Sequence, residues 1–229
     1  MLSQLNIPAS LARNHPSIRK AGIVRTGKLL IEKTITIAGL ESLAQKRVLD
    51  LGCGTRFTKA IITKKIPVRS YTGIDVDKDV IDYLKVNVEG NDERFDYAHW
   101  DVLNALYNKL GISFSGQSSL PIDPSRKFDM IWMFSVITHQ SPEGTSALFK
   151  ILRQYIGFDG QMFFTAYSRS GIDKFLDARE GTALMEAYYQ SEYLVELLDE
   201  AEWKVDRTIP VDTEHKPPLH QNGFLCSTR

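Results

Sequence analysis

Val48-Leu49-Asp50-Leu51-Gly52-Cys53-Gly54-Thr55 is the stretch whose reading decides the fold of this chain. An apolar strand runs into an acid, then a Gly-x-Gly turn, then a helical pattern. Glycines at such a turn let the backbone approach a ligand closely, and the helix that follows offers free amide N–H groups at the positive end of its dipole. A dinucleotide site asks for Gly-x-Gly-x-x-Gly. Gly52 and Gly54 satisfy the first two places, but Phe57 occupies the third. Asp50, one strand residue ahead of the turn, would repel a pyrophosphate and suits a ligand bearing an ammonium group. Nicotinamide cofactors are therefore disfavoured.

Working outward, Asp75 lies 21 residues beyond Gly54 and closes the run Tyr71-Thr72-Gly73-Ile74-Asp75. An acid at that place can accept both hydroxyls of a ribose. Asp101 ends the next run, Tyr97-Ala98-His99-Trp100-Asp101, where a carboxylate can receive an adenine amino group. Acids at successive strand ends fit the rule that ligands bind at the carboxyl edge of a parallel sheet. Strand patterns are expected at 47–51, 71–75, 95–100, 128–134, 161–167, 203–209 and 223–227, with helices at 57–65, 78–89, 143–155 and 188–201. The first four strand runs are mostly apolar rather than alternating, as for strands covered on both faces. This alternation of strands and helices is the signature of a doubly wound α/β domain. Residues 1–45 precede it as an N-terminal cap, helical around 28–43, and residues 46–229 form the main domain. The stretch 104–127, with Gly111, Gly116, Pro121 and Pro124, reads as a long insertion, and insertions of that length usually carry function or disorder.

The 229 residues hold 43% apolar and 24% charged side chains, enough to fill a core and exclude a disordered chain. No apolar run reaches the roughly 18 residues of a membrane span, and no signal peptide opens the sequence, so a cytoplasmic protein without membrane insertion is expected. Cys53 and Cys226 are too few for a disulfide scaffold or a four-ligand zinc site and read as small buried residues. Lys plus Arg equals Asp plus Glu at 28 each, which argues against nucleic acid, since neutralising phosphates drives that affinity. The charge is unevenly spread. Residues 1–47 carry eight bases against two acids, and residues 173–206 carry ten acids against three bases. These are either two solvated helical faces or, for the first, a basic lid over an anionic ligand.

The runs VLDLGCGT, YTGIDVDKDVIDYLK, HWDV, FDMIWMFSVITH and DGQMFFTAY, in that order over residues 46–229, resemble the class I S-adenosylmethionine-dependent methyltransferases. The resemblance implies a seven-stranded sheet of order 3-2-1-4-5-7-6 with the last strand antiparallel. It implies S-adenosylmethionine as cofactor and S-adenosylhomocysteine as product. By the same likeness Asp50, Gly52, Cys53 and Gly54 would cradle the methionine part, Asp75 with Val76 would hold the ribose side, and Trp100 with Asp101 would border the adenine. Ser135 would line the methyl-transfer side, in a segment Ser135-Val136-Ile137-Thr138-His139 similar to that of small-molecule and glycan methyltransferases. The family often has a third loop glycine where this chain has Arg56, which either pairs with a carboxylate, of the protein or of the cofactor, or points outward at the helix start.

Methyl transfer is an in-line displacement that chiefly needs positioning, with a general base where the acceptor is a hydroxyl. His139 is the candidate base, the alternative being a cap on the helix that follows. Tyr167, at the end of the fifth strand, either faces the same cleft or belongs to the core. Tyr188, Tyr189 and Tyr193 have helical spacing and read as core. His215 and His220 with Asp212 and Glu214 match no metal pattern, so no metal is expected. The expected reaction is methyl transfer to a small-molecule acceptor, an oxygen of a sugar, glycolipid or secondary metabolite, with the oligomeric state open. The alternatives are a nucleic-acid or protein methyltransferase, against which stand the neutral charge and the lack of an Asn/Asp-Pro-Pro-aromatic motif, and a noncatalytic cofactor-binding regulatory subunit.

Overall fold

The computed structural model describes residues 4–12, 15–104, 107–178, 184, 186–211 and 221–229. Two helices, α1 (Pro16–Ala21) and α2 (Ile23–Ile37), lead into the series β1 (Leu43–Leu51), α3 (Arg56–Lys64), β2 (Val68–Asp75), α4 (Lys78–Asn87) and β3 (Phe95–His99). The second half runs β4 (Phe128–Met133), α5 (Pro142–Arg153), β5 (Ile156–Ser168), β6 (Phe175–Asp177), β7 (Ala187–Tyr189), α6 (Ser191–Glu200), β8 (Trp203–Ile209) and β9 (Asn222–Thr228). β1 lies between β2 and β4, parallel to both, with β3 parallel beyond β2 and β5 parallel beyond β4. β9 then pairs antiparallel with β5 on one side and β8 on the other. Counting the seven long strands alone, this is the expected order 3-2-1-4-5-7-6 with the last strand reversed. β6 and β7 are an addition: they pair with each other and dock on the carboxyl end of β5 at Tyr167 and Ser168.

Side chains of a strand alternate between its two faces, and β1 shows how this divides the core. Leu49 and Leu51 join a cluster with Leu148, Leu152 and Leu198, from α5 and α6. Val48 joins the opposite cluster with Phe57, Ile61, Val80 and Leu84, from α3 and α4, and with Ile31 of α2. Leu5 enters that second cluster too, so the N-terminal stretch contributes core as well as cover. Local chemistry sets the helix starts. Ser141 accepts a hydrogen bond from the Gly144 amide with Pro142 at the first helical place of α5, and Asp77 accepts from Val80 at the start of α4. α2 packs so closely on α3 that a Cβ on Gly27 would lie 2.8 Å from that of Ala60.

Some elements differ from the sequence reading. The N-terminal helix ends at Ile37, and β1 begins already at Leu43, with a register irregularity before Arg47. Tyr188 and Tyr189 belong to β7 and not to the helix that follows; Tyr189 is buried, its hydroxyl donating to the carbonyl of Gln140. A two-residue period, not a helical one, orders these tyrosines, and pairing with β5 overrides their local spacing. The 104–127 insertion is tied to the domain where Phe114, Leu120 and Ile122 pack on the α5 side. Arg19 and Arg25 of the basic N-terminal stretch share a cleft of about 440 Å³ with Lys59 and Lys64 of α3. Among the described residues no helix is long and apolar enough to cross a membrane, and no group of three His, Cys, Asp or Glu side chains could hold a metal. Asp212, Glu214, His215 and His220 lie outside the described residues.

Candidate active site

The glycine turn after β1 stands against the carboxyl end of β2. Gly52 and Cys53 donate their amides to the carbonyl of Ile74, and Gly52 adopts φ +72°, a left-handed backbone that glycine enters without cost. A Cβ at Gly52 would lie 2.6 Å from a methyl of Val136, so the segment after β4 rests directly on the turn. Replacing Gly52 by Ala should therefore cost stability by about 2 kcal/mol, or roughly 4–8 °C in Tm, and distort the turn. A melting curve within a degree of wild type would show that Val136 gives way freely.

Asp75 is the hinge of this arrangement. One carboxylate oxygen accepts the Gly54 amide (2.8 Å) and the other the Asp77 amide (2.9 Å), so the acid locks the glycine turn to the start of α4. Burial pushes its carboxyl up, while the amides of Asp77 and Gly54 pull it down. Beyond it opens a cleft of about 450 Å³ at the carboxyl ends of β2 and β3, lined by Val76, Asp77, His99, Asp101 and Tyr107 among others. Asp101 is exposed and accepts from the Asn108 side chain (2.8 Å). Trp100, the residue before it, is buried and packed on Phe114 at 5.2 Å between ring centroids. Val76 and Asp101 thus line one cleft, each directly after a residue of interest, Asp75 at the end of β2 and the buried Trp100.

Asp50 sits elsewhere. Strand alternation turns it to the α3 side of the sheet, where it is 1% exposed and accepts a hydrogen bond from the Tyr71 hydroxyl. The Trp132 indole N–H adds a weaker pull on the same carboxylate without reaching hydrogen-bond geometry. Burial raises the carboxyl to about 7, against the pull of Tyr71 and Trp132. Cys53 is likewise buried, and burial pushes its thiol far up, which leaves it an inert thiol. Arg56 opens α3 half-buried, its guanidinium 4.9 Å above the Phe57 ring, with no hydrogen bond or ion pair to any described residue. Beside it the Thr55 hydroxyl is buried without a partner among the described residues.

After β4, Ser135 adopts φ +62°, its amide held by the Thr165 hydroxyl and its own hydroxyl by the Gln221 side chain. His139 ends a short 3₁₀ turn, Ile137–His139, and does not cap α5, a place taken by Ser141. Its Nδ1 lies 3.1 Å from the carbonyl of Leu184, and burial lowers its pKa. Tyr167 is half-buried and stacks on Tyr188 at 5.0 Å; its hydroxyl makes no hydrogen bond to a described residue. Sequence reasoning missed Tyr107, whose ring lines the Asp101 cleft and meets the His139 ring edge-on at 6.2 Å. An aromatic inside the 104–127 insertion was the only signal for it.

A methyltransferase-domain family profile matches residues 25–208. The chain belongs to that family. The methyltransferase domain is similar in structure to the glycopeptide N-methyltransferase MtfA, with a TM-score of 0.61 at 10% identity over 89% of this chain and 90% of that one. MtfA has also been solved in complex with S-adenosyl-L-methionine. A Burkholderia thailandensis 1,6-didemethyltoxoflavin-N1-methyltransferase, solved with its acceptor and S-adenosylhomocysteine, gives a TM-score of 0.60 at 15% identity over 93% of this chain and 81% of that one. An S-adenosylmethionine-dependent methyltransferase from Clostridium acetobutylicum gives 0.55 at 16%, over 88% and 90% of the two chains. The likeness establishes the class I methyltransferase fold.

Proposed function

We propose that this domain transfers a methyl group from S-adenosylmethionine to a heteroatom of a small-molecule acceptor, an oxygen of a sugar, glycolipid or secondary metabolite being the foremost class. The observation that carries the reading is the Asp75 clamp: a half-buried carboxylate fixed by two amides at the end of β2, next to Val76 of the open cleft. Each of its oxygens keeps a lone pair for a ribose hydroxyl. The rest of the cleft fits the same group. Val76, with Trp100 beside Asp101, would offer apolar cover to a purine ring, and Asp101 an acceptor for its amino group. At the other end, the Thr55 hydroxyl and the Arg56 guanidinium lack hydrogen-bond partners among the described residues where the amino-acid part would lie, and a guanidinium matches a carboxylate in geometry and charge. The buried Asp50 acts there through its field, since it has no open surface. When bound, S-adenosylmethionine supplies a methyl group activated on a sulfonium.

The chain's own task is then to orient the acceptor and move its proton. A carbonyl can only accept, so Nδ1 of His139 carries the hydrogen toward Leu184, and Nε2 is left with a lone pair. Because burial lowers its pKa, the ring is neutral at pH 7 and ready to take a proton from a hydroxyl. Tyr107, against that ring, would border the acceptor; Tyr167 remains a second candidate at the end of β5. His139→Ala should lower turnover by about 10²–10⁴-fold while S-adenosylhomocysteine binds as before; a normal rate would remove the base. The test of the whole reading is release of S-adenosylhomocysteine by the purified chain in the presence of panels of hydroxylated metabolites, glycolipids, peptides and oligonucleotides. Turnover confined to peptides or oligonucleotides would overturn the acceptor class.

A further inference from the structure

Ser135, Thr165 and Gln221 come from three separate parts of the chain and close into one hydrogen-bonded chain. The Ser135 amide can only donate, and it does so to the Thr165 hydroxyl (3.0 Å). That hydroxyl keeps its own proton for Oε1 of Gln221 (2.6 Å), a separation that suits O–H···O and is short for N–H···O. With Oε1 so assigned, Nε2 of Gln221 faces the Ser135 hydroxyl and donates to it (2.9 Å). The short Thr165 contact favours this orientation of the amide over its flip. The Ser135 proton has only a 3.2 Å return contact to Oε1, which closes a bent ring and is the weakest link.

Ser135 is exposed at the carboxyl edge of the sheet, and its neighbour Val136 rests on Gly52 of the cofactor turn. It is a non-glycine residue held in the left-handed region, a conformation that persists only where the surroundings impose it. Thr165 is buried, and Gln221 leads into β9. Three groups thus hold one strained, solvent-facing hydroxyl at the methyl-transfer side. We infer that Gln221 is a positioning residue, which turns the Ser135 hydroxyl into a directed hydrogen-bond donor for the acceptor. The inference rests on the methyltransferase reading above and narrows it: the acceptor carries a lone-pair atom, such as a carbonyl, ether or hydroxyl oxygen, next to the one methylated.

The test uses sinefungin, a cofactor analogue that carries an amine where the transferred methyl sits, with S-adenosylhomocysteine, which has nothing there, as reference. Both are titrated calorimetrically into wild type, Gln221→Glu and Gln221→Leu. A carboxylate in place of the amide is a pure acceptor, so Q221E draws the Ser135 proton inward and leaves lone pairs facing the ligand's ammonium. Q221E should bind sinefungin about tenfold tighter and S-adenosylhomocysteine within about twofold of wild type. Q221L, which frees the hydroxyl to turn a lone pair to the ammonium, should tighten sinefungin by about threefold, less than Q221E, with the reference again unmoved. Parallel shifts of both ligands would make the chain a structural tie only, and no shift in either variant would place Ser135 away from the methyl; each overturns the inference while the cofactor reading stands. Failure of wild type to bind either ligand would overturn both.

Discussion

Asp75→Ala should weaken S-adenosylhomocysteine binding by about 3 kcal/mol, roughly 150-fold. Two effects add. The variant removes the carboxylate proposed to accept the ribose hydroxyls, and it strands the amides of Gly54 and Asp77, whose acceptor it is. The second effect alone would loosen the glycine turn, so Asp75→Asn and a ligand change are needed to separate them. Asn keeps one oxygen for an amide but cannot serve two amides and two hydroxyls at once. Measured with the 2′-deoxy analogue of S-adenosylhomocysteine, wild type should lose most of the difference, and the Asp75 variants should discriminate little between the two ligands. Affinity of Asp75→Ala within about threefold of wild type would remove Asp75 from the site.

Asp50 should govern the pH dependence of stability. Its carboxyl is buried and raised from 3.8 to about 7, so the folded chain holds that proton more tightly than the unfolded one. The contribution is fully present below about pH 4 and is lost as the pH rises through about 7. The full difference is on the order of 4 kcal/mol. Asp92, held below the ordinary carboxylate range by its hydrogen bonds from Arg94, works in the opposite sense, losing stability as the pH falls below that range. The comparison is therefore made against Asp50→Asn, which keeps an oxygen for the Tyr71 hydroxyl and cannot titrate. In urea unfolding from about pH 4.5 to 8.5, the variant should gain on wild type steadily as the pH rises and exceed it at about pH 8. Parallel curves would mean that the fold does not raise the Asp50 carboxyl, its hydrogen bond from Tyr71 offsetting its burial.

The legible part of this protein is its local chemistry. The turn at Gly52 and Gly54, the acids at Asp75 and Asp101, and the seven long strands all announce themselves within a few residues, because backbone freedom, strand periodicity and strand-end position are properties of short segments. The antiparallel last strand came only from the family likeness, since periodicity carries no direction. The end of the helical cap at Ile37 is also local, a left-handed turn at Gly39 in which the Leu40 amide reaches back to Ile35; less legible was the pair Tyr188–Tyr189, drawn into β7 by the edge of β5.

What the tertiary structure alone decided concerns charge, partners and reach. Asp50 reads in sequence as a ligand-facing acid, but one residue of alternation turns it under the turn, where burial holds it near neutrality. His139 reads in sequence as either a helix cap or a base, and the choice of tautomer depends on a carbonyl 45 residues away. Ser135 meets Thr165 at a separation of 30 residues and Gln221 at 86, and Tyr107 reaches His139 from the insertion. Sequence by itself determined the fold and which acids and glycines stand at the carboxyl edge of the sheet, because those follow from local geometry. The protonation state and aim of each group at the methyl-transfer side waited for the fold, because they depend on burial and on hydrogen bonds between segments that only folding brings together.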